Sequence, residues 1–393
     1  MMDHNKEHAK KETSWTAYHE HVASFLLNKC GLGKDFTEEE VLHALGVLDV
    51  NSVKINSGGQ TYSSGHGLYP LTSLLSHSCI SNCKTVLKSD YSIECRATVF
   101  IAEGEEITKQ YVSPLETTQL RREKLRNGWY FECQCLRCLD PSECGALTSA
   151  TRCVRCGEGS ILPKDPLDER AEAVWQCDNC GFATTLGAIT KLVNYFTDKL
   201  SQPSVVQSVE ALEDMLEKSA RLLHPNHYVV TLVRIKMNVA YVNLAFRMFG
   251  EGGEYADQQE PAEVYMRRKE LLDDIHRVID MVEPGLTRRR GTFLCLSVVY
   301  FFMCCDNPFS CIGLSLFEMS TCHLQLGRLL YESERFPLED FIQLLTSEIQ
   351  SLQEAIECLE GAREGSNEAA IHYKAQCALH EAETMLRLLQ KQK

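Results

Sequence analysis

Apolar residues recur every three or four positions through the second half of the chain, a pattern that predicts long amphipathic helices. These segments cover residues 186–200, 205–223, 228–249, 262–282, 293–304, 312–331, 338–359 and 368–389. Short linkers rich in Gly, Pro and Asn separate them, such as GEGG and DNP. We therefore expect an all-α C-terminal domain, in which antiparallel helix pairs form either a tetratricopeptide-like array or an irregular helical bundle.

The first third of the chain mixes helical and strand patterns. Apolar spacing between Trp15 and Leu48 predicts two short helices, and Thr37 followed by Glu40 predicts a capping box. Short β-branched segments bounded by Gly, Asn, Asp and Ser predict strands or hairpins near residues 51–55, 85–87 and 93–100. A charged stretch over 114–127 predicts another helix. The expected fold class is α+β, with a small β-rich core ahead of the helical domain.

Composition and charge narrow the possible functions. The 393 residues are 44% apolar and 24% charged, which is ordinary for a soluble globular protein of two or three domains. The net charge of -14 argues against a broad nucleic-acid-binding face, which would need clustered Lys and Arg. The longest apolar run, 293–305, is shorter than the roughly 20 residues of a bilayer span. We expect a monomer with no membrane or direct nucleic-acid contact, in the cytoplasm and/or the nucleus.

The chain has 19 cysteines, and their spacing indicates metal ligands rather than disulfides. Four of them form the pattern C-x2-C-x20-C-x2-C: Cys153, Cys156, Cys177 and Cys180. Two such thiolate pairs supply the tetrahedral ligand set that zinc prefers, and four protein ligands leave no open position, so this zinc should be structural. Gly157 and Gly181 follow the two pairs, where a tight knuckle needs a residue that tolerates positive φ.

A second cysteine group, C-x-C-x2-C, offers three further ligands: Cys133, Cys135 and Cys138. A tetrahedral zinc needs a fourth ligand from elsewhere in the chain. Spacing alone does not choose among the candidates, which are Cys79, Cys83, Cys95 and Cys144. A cysteine hydrolase with Cys79 beside His77 is disfavoured, because residues two apart in sequence rarely form a nucleophile–base pair and no third orienting group is evident.

Three motifs resemble, in order, those of the SMYD family, the SET and MYND domain lysine methyltransferases. GLYPLTSLLSHSCISNC, from Gly67, is similar to the family's G-L-Y-x-x-x-S-L-L-N-H-S-C and its N-H-S-C-x-P-N signature. GEEITKQY, which ends at Tyr111, is similar to G-E-E-[LI]-x-x-x-Y, and FECQCLRC, which ends at Cys138, is similar to the post-SET F-x-C-x-C-x-x-C. The C-x2-C pairs resemble those of arthropod-type members, and the helices resemble the family's tetratricopeptide-like domain.

The resemblance implies a SET-domain methyltransferase that moves a methyl group from S-adenosylmethionine to a histone or non-histone protein lysine. Tyr111 would be the active-site tyrosine that orients the lysine amine, and Trp129 would line the lysine channel. The residues that would contact the cofactor are Asn51, Ser76, His77 and Phe131. Cys79 would be the fourth ligand of the second zinc, so the chain would hold two structural zinc ions.

The sequence also departs from the family pattern. Ser76 stands where the family has asparagine, and Ser81 stands where it has proline. The shorter hydroxyl would weaken cofactor binding by about 1 to 3 kcal/mol if a buried partner lost its hydrogen bond. The family's MYND finger and N-terminal SET segment are not recognisable ahead of Trp15, so we expect a shortened member. The alternative function is a catalytically weak or inactive SET-derived zinc scaffold for protein–protein interaction.

Pattern and resemblance together divide the chain into four parts. They are a polar lead-in over 1–14, a partial SET domain over 15–112, a post-SET and zinc-binding region over 113–186, and the helical domain over 187–393.

Overall fold

The computed structural model describes residues 3–8, 10, 21–56, 64–87, 90–249, 262–282, 337–359 and 367–391, with isolated positions between 317 and 332. The helix predicted over 293–304 lies outside these residues, and only isolated positions of the one predicted over 312–331 are described. Within the described ranges, no helix combines the length and the apolar character that a bilayer span requires.

The helices follow the predicted segments closely. In chain order they are α1 (Asn5–His8), α2 (Glu38–Asn51), α3 (Thr118–Trp129), α4 (Leu136–Leu139), α5 (Leu186–Leu200), α6 (Pro203–Val206), α7 (Val209–Leu222), α8 (Tyr228–Phe249), α9 (Ala262–Val282), α10 (Leu338–Leu359) and α11 (Asn367–Gln390).

The strands form small separate sheets. They are β1 (Ser52–Asn56), β2 (Ser64–Leu68), β3 (Ser76–His77), β4 (Cys83–Leu87), β5 (Ile93–Ala97), β6 (Thr108–Lys109), β7 (Thr151–Arg152), β8 (Ser160–Pro163), β9 (Val174–Cys177) and β10 (Ala183–Thr185). β1 pairs with β2 and β4 with β5, both antiparallel, whereas β3 and β6 run parallel. The last four strands form one antiparallel sheet in the order β10-β9-β8-β7. The α+β fold class is confirmed.

The capping box at the start of α2 is confirmed. The Thr37 hydroxyl accepts from the Glu40 backbone N–H at 3.3 Å, and the Thr37 N–H donates to the Glu40 carboxylate at 2.8 Å. These bonds satisfy two N–H groups that a helix start otherwise leaves unpaired. α1, within the segment that we expected as a polar lead-in, contacts this helix through the Asn5 amide, which donates to the Leu42 carbonyl at 3.0 Å.

The four-stranded sheet, which we call the ribbon, has its own small core. Burial alternates along β9, so that Trp175 and Cys177 point inward while Val174 and Gln176 point outward, as the two-residue period of a strand requires. Trp175 is 1% exposed and packs with Ile161 of β8. The residues Leu186 and Ile189 of α5 complete this core and join the ribbon to the helical domain.

Consecutive helices of the C-terminal domain are neighbours in space: α7 packs on α8, α8 on α9, and α10 on α11. The bounds predicted for α5, α8, α9 and α10 agree with the structure. The segment predicted as one helix over 205–223 is instead two, α6 and α7. The break has a local cause, because the Ser208 hydroxyl accepts from the Ala211 N–H at 3.1 Å and so caps the start of α7.

Candidate functional site

The parallel pairing of β3 and β6 brings two of the sequence motifs together. Ser76 lies opposite Thr108, and His77 lies opposite Lys109. The Ser78 N–H donates to the Lys109 carbonyl at 3.1 Å and extends this contact. As a result, Tyr111, two residues beyond β6, lies beside His77 although 34 residues separate them along the chain.

His77 connects Tyr111 to a cysteine. The Tyr111 backbone N–H donates to His77 Nδ1 at 3.0 Å, so Nδ1 is the acceptor nitrogen of the ring. The neutral imidazole then carries its hydrogen on Nε2, which lies 3.3 Å from Cys79 Sγ and donates to it. A continuous hydrogen-bonded path therefore runs from the backbone of Tyr111 through the His77 ring to Cys79.

The Tyr111 ring belongs to a cluster of aromatic rings. Its centroid lies 5.3 Å from that of Trp129 and 6.4 Å from that of Phe131, the latter in an edge-to-face arrangement. The His77 ring lies 5.2 Å from Tyr111 and 5.9 Å from Phe131. The predicted catalytic, channel and cofactor residues Tyr111, Trp129, His77 and Phe131 are thus adjacent in space.

The environment of the Tyr111 side chain keeps its phenol protonated. Burial raises the pKa of Tyr111, and the negative charge of Glu106 raises it further. The hydroxyl donates to the Leu75 carbonyl at 2.6 Å. The Lys109 ammonium lies over the face of the Tyr111 ring, 5.4 Å from its centroid, within the range of a cation–π attraction. The ring cluster is therefore a surface to which a cationic group is attracted.

Directly beside these rings lie four cysteines, which we call the inner cluster: Cys79, Cys133, Cys135 and Cys138. Their sulfur atoms all lie within 4.8 Å of one another. Cys79 Sγ is 3.6 Å from that of Cys138 and 4.0 Å from that of Cys133. In a tetrahedral site with Zn–S bonds of about 2.3 Å, neighbouring sulfurs are about 3.8 Å apart. The inner cluster can hold zinc, and Cys79 completes it among the four candidates that spacing left open.

The four cysteines of the C-x2-C pairs form a second group, the ribbon cluster. Cys153 and Cys156 lie between β7 and β8, Cys177 ends β9, and Cys180 lies between β9 and β10. Sulfur distances are 3.6 Å for Cys153–Cys180 and 3.8 Å for Cys156–Cys177, again those of a tetrahedral zinc site. Gly157 and Gly181 have φ of 73° and 70°, as predicted for the two knuckles.

Backbone N–H groups of the knuckles also point at the sulfurs. The Gly159 N–H donates to Cys156 Sγ at 3.4 Å, and the Cys180 N–H to Cys177 Sγ at 3.5 Å. Such bonds stabilise thiolate, the form of cysteine that binds metal.

A model of the SET domain matches residues 4–112 of the chain. The chain is 25% identical to the SET domain-containing protein SmydA-8, isoform A, of Drosophila melanogaster over 247 residues, 61% of this chain and 51% of that relative. It is 46% identical over 74 residues to the histone-lysine N-methyltransferase SMYD3 of Mus musculus, 19% of this chain and 17% of that relative. These 74 residues are too few to describe the whole molecule, but they add to the SET match. The SET match and these similarities support an assignment to the SMYD family.

A plant protein is also similar to part of the chain. The histone-lysine N-methyltransferase ASHR1 of Arabidopsis thaliana is 29% identical over 135 residues, 33% of this chain and 27% of that relative. The chain spans about half the length of the SmydA-8 relative.

Two residues that the SMYD resemblance assigns to cofactor binding have less distinctive surroundings. Ser76 is exposed on β3, and its backbone pairs with Thr108. Asn51 is the last residue of α2, where its amide donates to the Val47 carbonyl of the same helix at 2.9 Å. Their roles toward a cofactor stay predictions.

Sequence reasoning missed a residue beside the inner cluster, Arg121 of α3. It is 0% exposed, and its guanidinium donates to Cys79 Sγ at 3.3 Å and to Cys138 Sγ at 3.8 Å. Hydrogen bonds from the thiols of Cys133, Cys135 and Cys138 lower the pKa of Cys79, and His77 lowers it further. Arg121 therefore lies against two sulfur atoms of the inner cluster, and no pattern in the charged α3 sequence distinguishes it from a solvent-facing arginine.

Proposed function

We propose that this chain is a SMYD-like protein-lysine N-methyltransferase that uses S-adenosylmethionine and acts on histone or non-histone protein lysines. The observation that carries the proposal is the ring cluster around Tyr111, tied to the inner cluster through His77. The names of the mouse and plant relatives describe histone-lysine methyltransferases, which supports the same class of reaction.

The ring cluster suits both groups that this reaction would bring together. S-adenosylmethionine supplies a methyl group on a positively charged sulfur, and the substrate supplies a lysine side chain. The cofactor sulfur is positively charged, and the lysine amine is positively charged when it is protonated. Aromatic faces attract cations more strongly where water is excluded. Trp129 and Phe131 would hold these groups beside Tyr111, while the net charge of -14 would favour basic peptides.

Within this proposal Tyr111 orients the lysine amine. Its phenol is protonated at neutral pH, and burial moves its pKa further from that range, so the hydroxyl can both donate and accept a hydrogen bond. Holding the amine in one orientation is the main contribution that a protein makes when the cofactor already carries the reactive group. His77 fixes the backbone at Tyr111 and thereby the position of the ring.

We also propose that each cysteine cluster binds one structural zinc ion. All four ligands are protein thiols in both clusters, so neither ion would have an open position for substrate. The inner zinc would hold Cys79 and, through His77, the strand that leads to Tyr111. Sites of this kind form in compartments that keep thiols reduced, which supports a location in the cytoplasm and/or the nucleus.

The test is methyl transfer by the zinc-loaded chain. A set of lysine-containing peptides, including histone tails, would be incubated with methyl-labelled S-adenosylmethionine, and labelled products identified by mass spectrometry. We expect transfer to at least one peptide, and a loss of at least tenfold in Tyr111→Phe, because removal of one positioned hydrogen-bonding group has effects of that order.

A matched control is Tyr195→Phe, which alters a half-exposed tyrosine of α5 that contacts Phe196 and Lys199 rather than the ring cluster. This variant should transfer methyl groups at the wild-type rate. Equal rates in wild type and Tyr111→Phe would contradict the assigned role of Tyr111. Binding of peptides without any transfer would favour the alternative, a SET-derived scaffold.

A further inference from the structure

We propose that Arg121 is a counter-charge that retains zinc in the inner cluster, and that the ribbon cluster therefore releases its zinc first to chelators and thiol reagents. The proposal rests on the zinc occupancy proposed above and is independent of methyl transfer.

Electrostatics gives the reason for a counter-charge. Zinc with four thiolates carries a net charge of -2, and a buried charge is costly unless it is paired and hydrogen-bonded. Three of the four inner cysteines are at most 4% exposed: Cys79, Cys133 and Cys138. Arg121 meets this need directly, because its guanidinium donates to the sulfurs of both Cys79 and Cys138.

Arg121 is held where it lies. Its Nη1 forms an ion pair with Glu143 at 3.0 Å, and its Nη2 donates to the Thr118 hydroxyl at 2.9 Å. Glu143 is itself fixed by the Ser149 N–H, which donates to it at 2.7 Å. Because every arm of the guanidinium has a partner, it cannot turn away from the sulfurs without leaving a buried group unpaired.

A second buried arginine, Arg137, adds positive charge near Cys79 and Cys138 of the inner cluster. Arg137 lies next to Cys138 in the sequence and is 0% exposed. Its Nη2 donates to the Thr148 hydroxyl at 3.2 Å, whereas its Nε and Nη1 have no hydrogen-bond partner. The Glu143 carboxylate compensates part of the Arg137 charge, and a tetrathiolate zinc beside Cys138 would add further negative charge for the donors that have no partner.

The ribbon cluster is built differently. The donors to its sulfurs are neutral: the N–H groups of Gly159 and Cys180 and the Asn179 amide, which lies 3.8 Å from Cys156 Sγ. An anion also lies beside this cluster, because the Asp178 carboxylate is 4.0 Å from Cys177 Sγ. Among the residues that the structure describes, no Arg or Lys donates to a ribbon sulfur.

Access differs as well. Cys156 and Cys180 are both partly exposed, so the ribbon has two thiolates that a reagent can reach, whereas Cys135 alone of the inner cluster is partly exposed. Chelators and alkylating agents act by capturing a thiolate or the metal when one Zn–S bond opens. The ribbon thus combines easier access with weaker charge compensation.

The experiment follows zinc release from the full zinc-loaded chain. A coloured zinc chelator in excess would record release over time, and N-ethylmaleimide added between the two phases would mark the freed cysteines for mass spectrometry. We expect one zinc ion to leave fast with labelling of Cys153, Cys156, Cys177 and Cys180, and one to leave slowly.

The variant Arg121→Gln should accelerate the slow phase at least tenfold, which is the order of effect of a hydrogen bond to a charged group. It should leave the fast phase unchanged. The control is Arg155→Gln, which removes an exposed arginine from the first ribbon knuckle and should alter neither phase. Since Arg121→Gln leaves Glu143 buried without its partner, the double variant Arg121→Gln/Glu143→Gln keeps a neutral pair and should show the same fast inner release.

Three results would overturn the proposal. They are release of both ions in one phase, labelling of the inner cysteines first, and a double variant whose inner zinc leaves at the wild-type rate. A metal content well below two zinc ions per chain would remove its premise. Failure of methyl transfer would change none of these readouts.

Discussion

Replacing Glu143 with glutamine tests how strongly the buried ion pair beside the inner cluster stabilises the region around α3 and α4. Glu143 is 3% exposed and 22 residues from Arg121 in the sequence. Its carboxylate accepts from Arg121 at 3.0 Å, from the Thr118 hydroxyl at 2.8 Å and from the Ser149 N–H at 2.7 Å. The single carboxylate therefore joins α3 to the loop that follows α4.

The amide of glutamine cannot reproduce these contacts. One carboxylate oxygen becomes an NH2 group, which faces either the Ser149 N–H or the Arg121 guanidinium, donor against donor. Arg121 also loses the negative charge that compensates it in a buried position. Removing one partner of a buried ion pair costs about 3 to 5 kcal/mol, so we expect Glu143→Gln to lower the free energy of unfolding by about that amount.

Urea unfolding of the zinc-loaded protein at pH 7, followed by tryptophan fluorescence, gives the measurement. Trp129 packs against the inner cluster and Trp175 lies in the ribbon core, so the two side chains report on the regions of the two cysteine clusters. The reference variant is Glu217→Gln, which removes the exposed Glu217–Arg221 pair within α7 and should cost less than about 0.5 kcal/mol. A loss of less than about 1 kcal/mol in Glu143→Gln, with an unchanged urea slope, would refute the reasoning.

Three further changes have defined outcomes. Burial lowers the pKa of His227 to about 4, whereas the histidine of the unfolded chain has a pKa near 6.5 and binds the proton first. The free energy of unfolding should therefore fall by about 3 kcal/mol as the pH drops from 6.5 to 4. His227→Asn keeps an acceptor for the Val229 N–H and should lose that part of the pH dependence of unfolding. Trp175→Ala should lower the free energy of unfolding in urea by about 3 to 5 kcal/mol, because it opens a cavity in the ribbon core. Val174 points outward, so Val174→Ala should lower it by less than about 1 kcal/mol. Equal losses in the two variants would refute the assigned burial. Gly157→Ala places a residue with a side chain at a backbone φ of 73° and should destabilise the ribbon by about 1 to 2 kcal/mol. The measurement is the zinc affinity, which should fall, and an affinity equal to that of wild type would contradict the prediction.

Local features of this chain were predictable from sequence because their causes are local. The Thr37 and Glu40 capping box depends on residues three apart, and the knuckle glycines Gly157 and Gly181 depend on the turn that contains them. Helix bounds such as those of α8 follow from apolar spacing and the linkers on either side.

Features that depend on long-range pairing were not predictable in the same way. Cys79 is 54 residues from Cys133, and no local pattern connects them, so only family resemblance selected it as a ligand. Arg121 belongs to a charged helix whose pattern gives no sign of burial, and its partner Glu143 lies in a loop. Asn51 was expected to begin a strand but ends α2, one residue before β1.

A calorimetric titration of the zinc-loaded chain with S-adenosylmethionine tests the proposed function most directly, because every later step of methyl transfer requires this cofactor to bind. Ser76, in place of the family asparagine, makes the result informative for this chain in particular. We predict saturable heat that fits one site per chain. The absence of detectable binding in a sample that contains two zinc ions per chain would contradict the proposal.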